Sequence, residues 1–204
     1  MSTDCKYRDQ TLAVTLALAR DCSNLENAPE LAEICQHTLD KLVRSSTTLR
    51  LDQLPTYAQL VALIDDSTNE SMTRLAWAIS LNKWDWPLAF TDIVEEVMSN
   101  VSGANARGRL AMILVFTGHL MLECIRSQLS HYVIPLAYRL AIALNSPRYR
   151  HALEEADGWS ALASLLTPPS LPTPAPSKCA ARNVCYSIVT LGLRLMQVAM
   201  YGPQ

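Results

Sequence analysis

ARGRLAMILVFTGHLMLECI, residues 106–125, is the stretch on which the fold turns. Arg107 and Arg109 lead into thirteen residues without a full charge, Leu110 to Leu122, and Glu123 closes the run. No polar face emerges at helical spacing, and a helix apolar all round must be enclosed by protein or by lipid. A membrane span needs about 20 apolar residues, whereas this uncharged run covers only about 20 Å as a helix. A buried core helix is the expectation, wrapped by amphipathic neighbours.

The flanking segments can supply that wrapping. LAFTDIVEEVMSNV, residues 88–101, places Phe90, Ile93, Val94, Val97 and Met98 on one side of a helix. HYVIPLAYRLAIALN, residues 131–145, predicts a second apolar helix, with Pro135 either near its start or kinking it. A first helix is expected over roughly residues 6–22, carrying Leu12, Val14, Leu16 and Leu18. The next starts around Pro29, a residue suited to a first turn. It shows Leu31, Ile34, Cys35, Leu39, Leu42 and Val43 as one apolar stripe. Pro55 opens the short segment TYAQLVALIDD, and SMTRLAWAISLNKWDW predicts a helix ending near Pro87. Trp77, Trp84 and Trp86 are expected in helix packing. SPRYRHALEEADGWSALASLL reads as helix interrupted near Asp157–Gly158.

Seven or eight helices, no strand and no internal repeat make the fold class all-α. TPPSLPTPAP is too rich in proline to build a core. The chain divides into a helical domain at 1–166, a linker at 167–178 and an apolar C-terminal segment at 179–204.

Composition narrows the function. Seventeen basic and 19 acidic residues give a net charge of -2, without the basic stripe of a nucleic-acid binder. Six cysteines at irregular spacing, with no CxxC pair, read as reduced thiols of a cytoplasmic protein. The start MSTDCKYRDQ lacks the continuous apolar region of a signal peptide, so the sequons at Asn69 and Asn100 are expected to stay unmodified. His37 and Cys35 do not share a helical face, and His131 and His151 have no companions at metal spacing. His119 is expected as a packed, hydrogen-bonded core residue. Glu95–Glu96 and Glu154–Glu155 are adjacent pairs that point apart on a helix. With no phosphate loop and no nucleophile elbow, neither enzyme chemistry nor a cofactor or metal is expected.

Arg107 and Arg109 stand at the wrong end of their helix. The macrodipole is positive there and disfavours a cation by about 0.3–1 kcal/mol. They read either as a solvated pair or as an anchor beside an apolar groove, where a charge sets the register of a bound helix.

GRLAMILVFTGHLMLECI resembles the first homology region of the Bcl-2 family, in which Asn-Trp-Gly-Arg precedes an apolar helix. Gly108 and Arg109 match, Phe116 falls on the family's aromatic, Gly118 on its helical glycine and Glu123 on its acidic residue. FTDIVEEVM resembles the wall opposite in the family's groove, and LEEADGWSAL its second homology region, with Gly158 and Trp159 in the Gly-Trp positions. The three stretches span residues 90–162 in the family's order. Ala106 and Arg107 replace the family's Asn and Trp, Ala152 replaces a leading Trp, and the second helix has Asp40 without a clear BH3 core.

The resemblance implies a helical bundle around a hairpin of two apolar helices, binding an amphipathic BH3 helix from a pro-death relative. The groove would comprise Ile93, Glu96, Val97, Ala111, Met112 and Phe116, with Leu42 as a further wall residue. Arg109 would pair with the ligand's aspartate, and Gly108 would let its backbone approach. The short connection at residues 23–30 and the blurred BH3 motif favour a survival-promoting member, such as a viral homologue. Residues 184–201 read either as a tail anchor in the mitochondrial outer or another intracellular membrane, or as a helix packed on the bundle. Arg194 costs about 2.5–3.5 kcal/mol at the centre of a span. A membrane-permeabilising relative, acting through the central hairpin, and an unrelated helical enzyme are the competing expectations.

Overall fold

The computed structural model describes residues 3–46, 49–51, 54–81, 86–99, 101, 106–155 and 159. The expected linker and C-terminal segment lie outside them, as do Gly158 and Trp84. Eight α-helices are present among the described residues, and no strand: α1 Thr3–Leu25, α2 Pro29–Ser45, α3 Tyr57–Ala62, α4 Asp66–Leu81, α5 Trp86–Met98, α6 Ala106–Arg126, α7 Val133–Leu144 and α8 Pro147–Glu155.

α6 is the axis of the bundle. Every residue from Leu110 to Cys124 is buried, so the absence of a polar face is explained by neighbours on all sides. By length and composition the helix could cross a membrane, but 83% of its most apolar window lies inside the protein. α1, α3, α4, α5 and α7 all pack against it. α1 fits beside it because Ala13, Ala17 and Ala19 interleave with Leu16 and Leu18 on a stretch buried from residue 13 to residue 19. Small residues let the helix backbones approach, while the leucines fill the space between them.

At the far end of α6 the chain is fastened by charge. Arg126 donates to Glu26 at 2.6 Å and to Glu123 at 2.8 Å, tying the last turn of α6 to the α1–α2 corner. A cation in the last turn also suits the negative end of the helix dipole. The corner itself needs a left-handed residue, and Asn27, at φ 51°, supplies it.

α4 runs from Asp66 to Leu81, and its expected end near Pro87 falls on residues 82–85, outside those described. Pro87 itself occupies the first turn of α5, where its missing N–H costs no helical bond. The structure departs from the sequence expectations in three places. Ile34 faces outward, because the buried stripe of α2 runs through Ala32, Cys35 and Leu39. Trp77 is likewise exposed, since α4 turns Met72, Leu75, Ala76 and Ile79 inward. Finally, α2 packs chiefly along α1, and it is α4 that lies along the central helix. The five apolar residues expected on one side of α5 are all buried, and Pro135 sits in the first turn of α7.

Three cysteines, Cys22, Cys35 and Cys124, are free thiols buried in the bundle. Burial raises all three in pKa, Cys35 to about 11 and Cys124 to about 12, so none is a thiolate near neutrality.

Candidate functional site

The expected groove residues fall into two groups. Ile93, Glu96 and Val97 lie on α5, and Gly108, Arg109, Ala111, Met112 and Phe116 on α6; the two helices pack, with Phe90 stacked on Phe116 at 6.5 Å. Leu42 stands apart, half-buried on a helix whose main neighbour is α1. The expected apolar wall is closed. Ile93 and Phe116 are fully buried, and Val97, Met112 and Ala111 nearly so. They form core in this state, not an open lining. Only Gly108 and Glu96 are exposed, with Arg109 between the extremes.

Arg109 answers the question of its awkward position. α6 runs back along α5, which brings the N-terminal turn of α6 beside the C-terminal turn of α5. Arg109 Nη1 donates to the Val97 carbonyl, one of the acceptors a helix leaves unpaired at its end. The cation is misplaced for its own helix and well placed for its neighbour, whose C-terminal dipole is negative. Burial lowers the Arg109 pKa, and Glu96 opposes that; a guanidinium nonetheless stays charged. Its Nε is buried and has no hydrogen-bond partner among the described residues. A second arginine, Arg148 on α8, donates to the Ser99 carbonyl just beyond α5 at 3.2 Å. Above Gly108 nothing among the described residues lies within 4 Å of where a Cβ would stand.

A second polar assembly is largely internal, with Tyr57 and His119 buried and Asn69 and Thr73 half-buried. His119, 8% exposed, donates from Nε2 to Asn69 Oδ1 at 2.6 Å and accepts at Nδ1 from the Tyr57 hydroxyl at 3.1 Å. Thr73 Oγ1 lies 3.3 Å from the same nitrogen while donating to the Asn69 carbonyl at 3.0 Å. The neutral imidazole is thus satisfied at both nitrogens, across α3, α4 and α6. Burial first, and the Arg126 charge second, push its pKa down to about 4. Tyr57 is held from several directions. Its amide donates to Asp21 at 3.1 Å, and the Thr56–Gln59 capping box starts its helix. Gly118 makes room for the ring, since a Cβ there would stand 2.7 Å from Tyr57 Cδ2 and closer still to Cε2.

Trp159, singled out by the Gly-Trp pair, is buried and donates its indole N–H to Thr11 on α1 at 3.2 Å. Among the described residues no three His, Cys, Asp or Glu side chains gather as metal ligands would. The partners of His119, and Arg148, went unnoticed in the sequence. The Thr-x-x-Gln spacing at Thr56 was the one signal that could have placed Tyr57 at a helix start. Comparisons with protein-family models, curated proteins and solved structures gave no match.

Proposed function

We propose that this chain is a survival-promoting regulator of apoptosis that sequesters the amphipathic BH3 helix of pro-death partners at the α5–α6 edge. The observation that carries the reading is the pairing of exposed Gly108, with open space above it, and half-buried Arg109 beside a set of apolar residues on two packed helices. It is supported by the ordered resemblance over residues 90–162 and by the all-helical bundle around α6.

Because Ile93, Val97 and Phe116 are covered in the free chain, binding requires α5 to yield. The ligand's apolar anchors then replace the contacts that α5 gives up, and its aspartate pairs with Arg109. A charge-assisted pair in such a partly dry place contributes about 1.5–3 kcal/mol. The chain would act in the cytoplasm and at intracellular membranes, the latter through residues 179–204.

Calorimetric titration with BH3 peptides tests the proposal. The wild-type chain should bind, and Arg109→Ala or Arg109→Glu should weaken binding at least about tenfold. Folded variants with undiminished affinity would remove Arg109 from the site, and no binding by the wild type would reject the function.

A further inference from the structure

We infer that Arg109 and Arg148 together form a latch that holds α5, with its own Ile93 and Val97 buried, shut over Met112 and Phe116 of α6, and that a carboxylate on an incoming helix opens it by capturing Arg109. The inference rests on the function proposed above and adds how access to the site is controlled.

The geometry comes from three elements meeting at one helix end. The Val97 carbonyl, in the last turn of α5, accepts from Arg109 on α6, and the Ser99 carbonyl, just past that turn, accepts from Arg148 on α8. Carbonyls at a helix terminus have no partner within the helix. Here two cations from two different elements supply it. Pulling α5 away from the core therefore breaks both bonds at once and re-exposes the negative end of its dipole.

The latch is also incomplete in a way that lets a carboxylate replace it. Arg109 spends Nη1 on a single carbonyl oxygen, and its Nε, though buried, has no partner among the described residues. A carboxylate can accept from Nε and Nη together, in the two-point geometry that a lone carbonyl cannot match. Glu96 already sits near enough to influence Arg109 but is itself exposed to water. An acid delivered on a helix that also carries apolar side chains brings both parts of the exchange. It releases the Val97 carbonyl and covers the surface that α5 uncovers.

Hydrogen exchange on the full chain reads the latch directly. Amides of residues 88–98 should exchange about threefold faster in Arg148→Ala and about tenfold faster in Arg109→Ala, with residues 13–19 of α1 unchanged. Equal rates in α5, or a parallel rise in α1, would overturn the latch. In stopped flow with a BH3 peptide, Arg148→Ala should raise the association rate about threefold, because Arg109 is still there to meet the ligand. An unchanged association rate would overturn the gating role. The two ideas fail separately: faster exchange without any peptide binding rejects the function and leaves the latch, whereas binding with unaltered exchange does the reverse.

Discussion

Acid should loosen this fold through one residue. His119 titrates near pH 4 in the folded chain, from an ordinary value of 6.5. As pH falls the unfolded chain takes up the proton first, so folding stability is fully present above about pH 6.5 and declines down to about pH 4. At about 1.4 kcal/mol per pH unit, that interval corresponds to about 3 kcal/mol, a large share of a typical domain's stability. The Asp65 carboxyl, lowered to about 2 by hydrogen bonds from Ser67 and Thr68, acts only below pH 4 and leaves this window clear. The assay is urea unfolding followed by far-UV circular dichroism at pH 7.5, 6.5, 5.5 and 4.5, on the wild type and on His119→Gln. Contributions from other groups are common to both proteins and cancel in the difference. The variant starts less stable at pH 7.5, and the gap should narrow by about 2.5 kcal/mol by pH 4.5. A gap that stays constant across the series would refute the buried neutral histidine.

Gly118→Ala should destabilise the chain by about 1–3 kcal/mol in the same unfolding assay, because the new methyl meets a Tyr57 ring that is fixed at both ends. Gly108→Ala should behave oppositely. With open space around it, stability should hold or rise by up to about 1 kcal/mol while calorimetry shows weaker peptide binding; a loss of stability would contradict the open position. Trp159→Phe removes the donor to Thr11 and should cost about 1 kcal/mol, seen as a lower urea midpoint.

The parts of the fold that could be read in advance were those where chemistry is local. Leu110–Leu122 admits no polar face, so its burial followed from composition, and the stripe on α5 followed from spacing. Spacing says nothing about which neighbour a stripe will choose. That is why α2, and Leu42 with it, went to α1 while α4 took the place along α6. Pro87 is open in the same way, since proline both stops helices and starts them; here it stands in the first turn of α5. His119 was legible as a packed residue, but Tyr57 and Asn69 lie 62 and 50 positions away in sequence, beyond any periodic pattern. The mismatch between Arg109 and the dipole of its own helix was visible at once. Its resolution, a carbonyl on the preceding helix, needed α5 and α6 to be packed together.

The three sheltered thiols turn the molecule into its own stopwatch. Cys22 leans its sulfur towards the Gly118 carbonyl at 3.6 Å, Cys35 is on α2 and Cys124 near the end of α6. An alkylating reagent reaches each sulfur only when the layer above it lifts. The order in which the three acquire label, read by mass, therefore spells out which seam of the protein parts first, with no residue substituted.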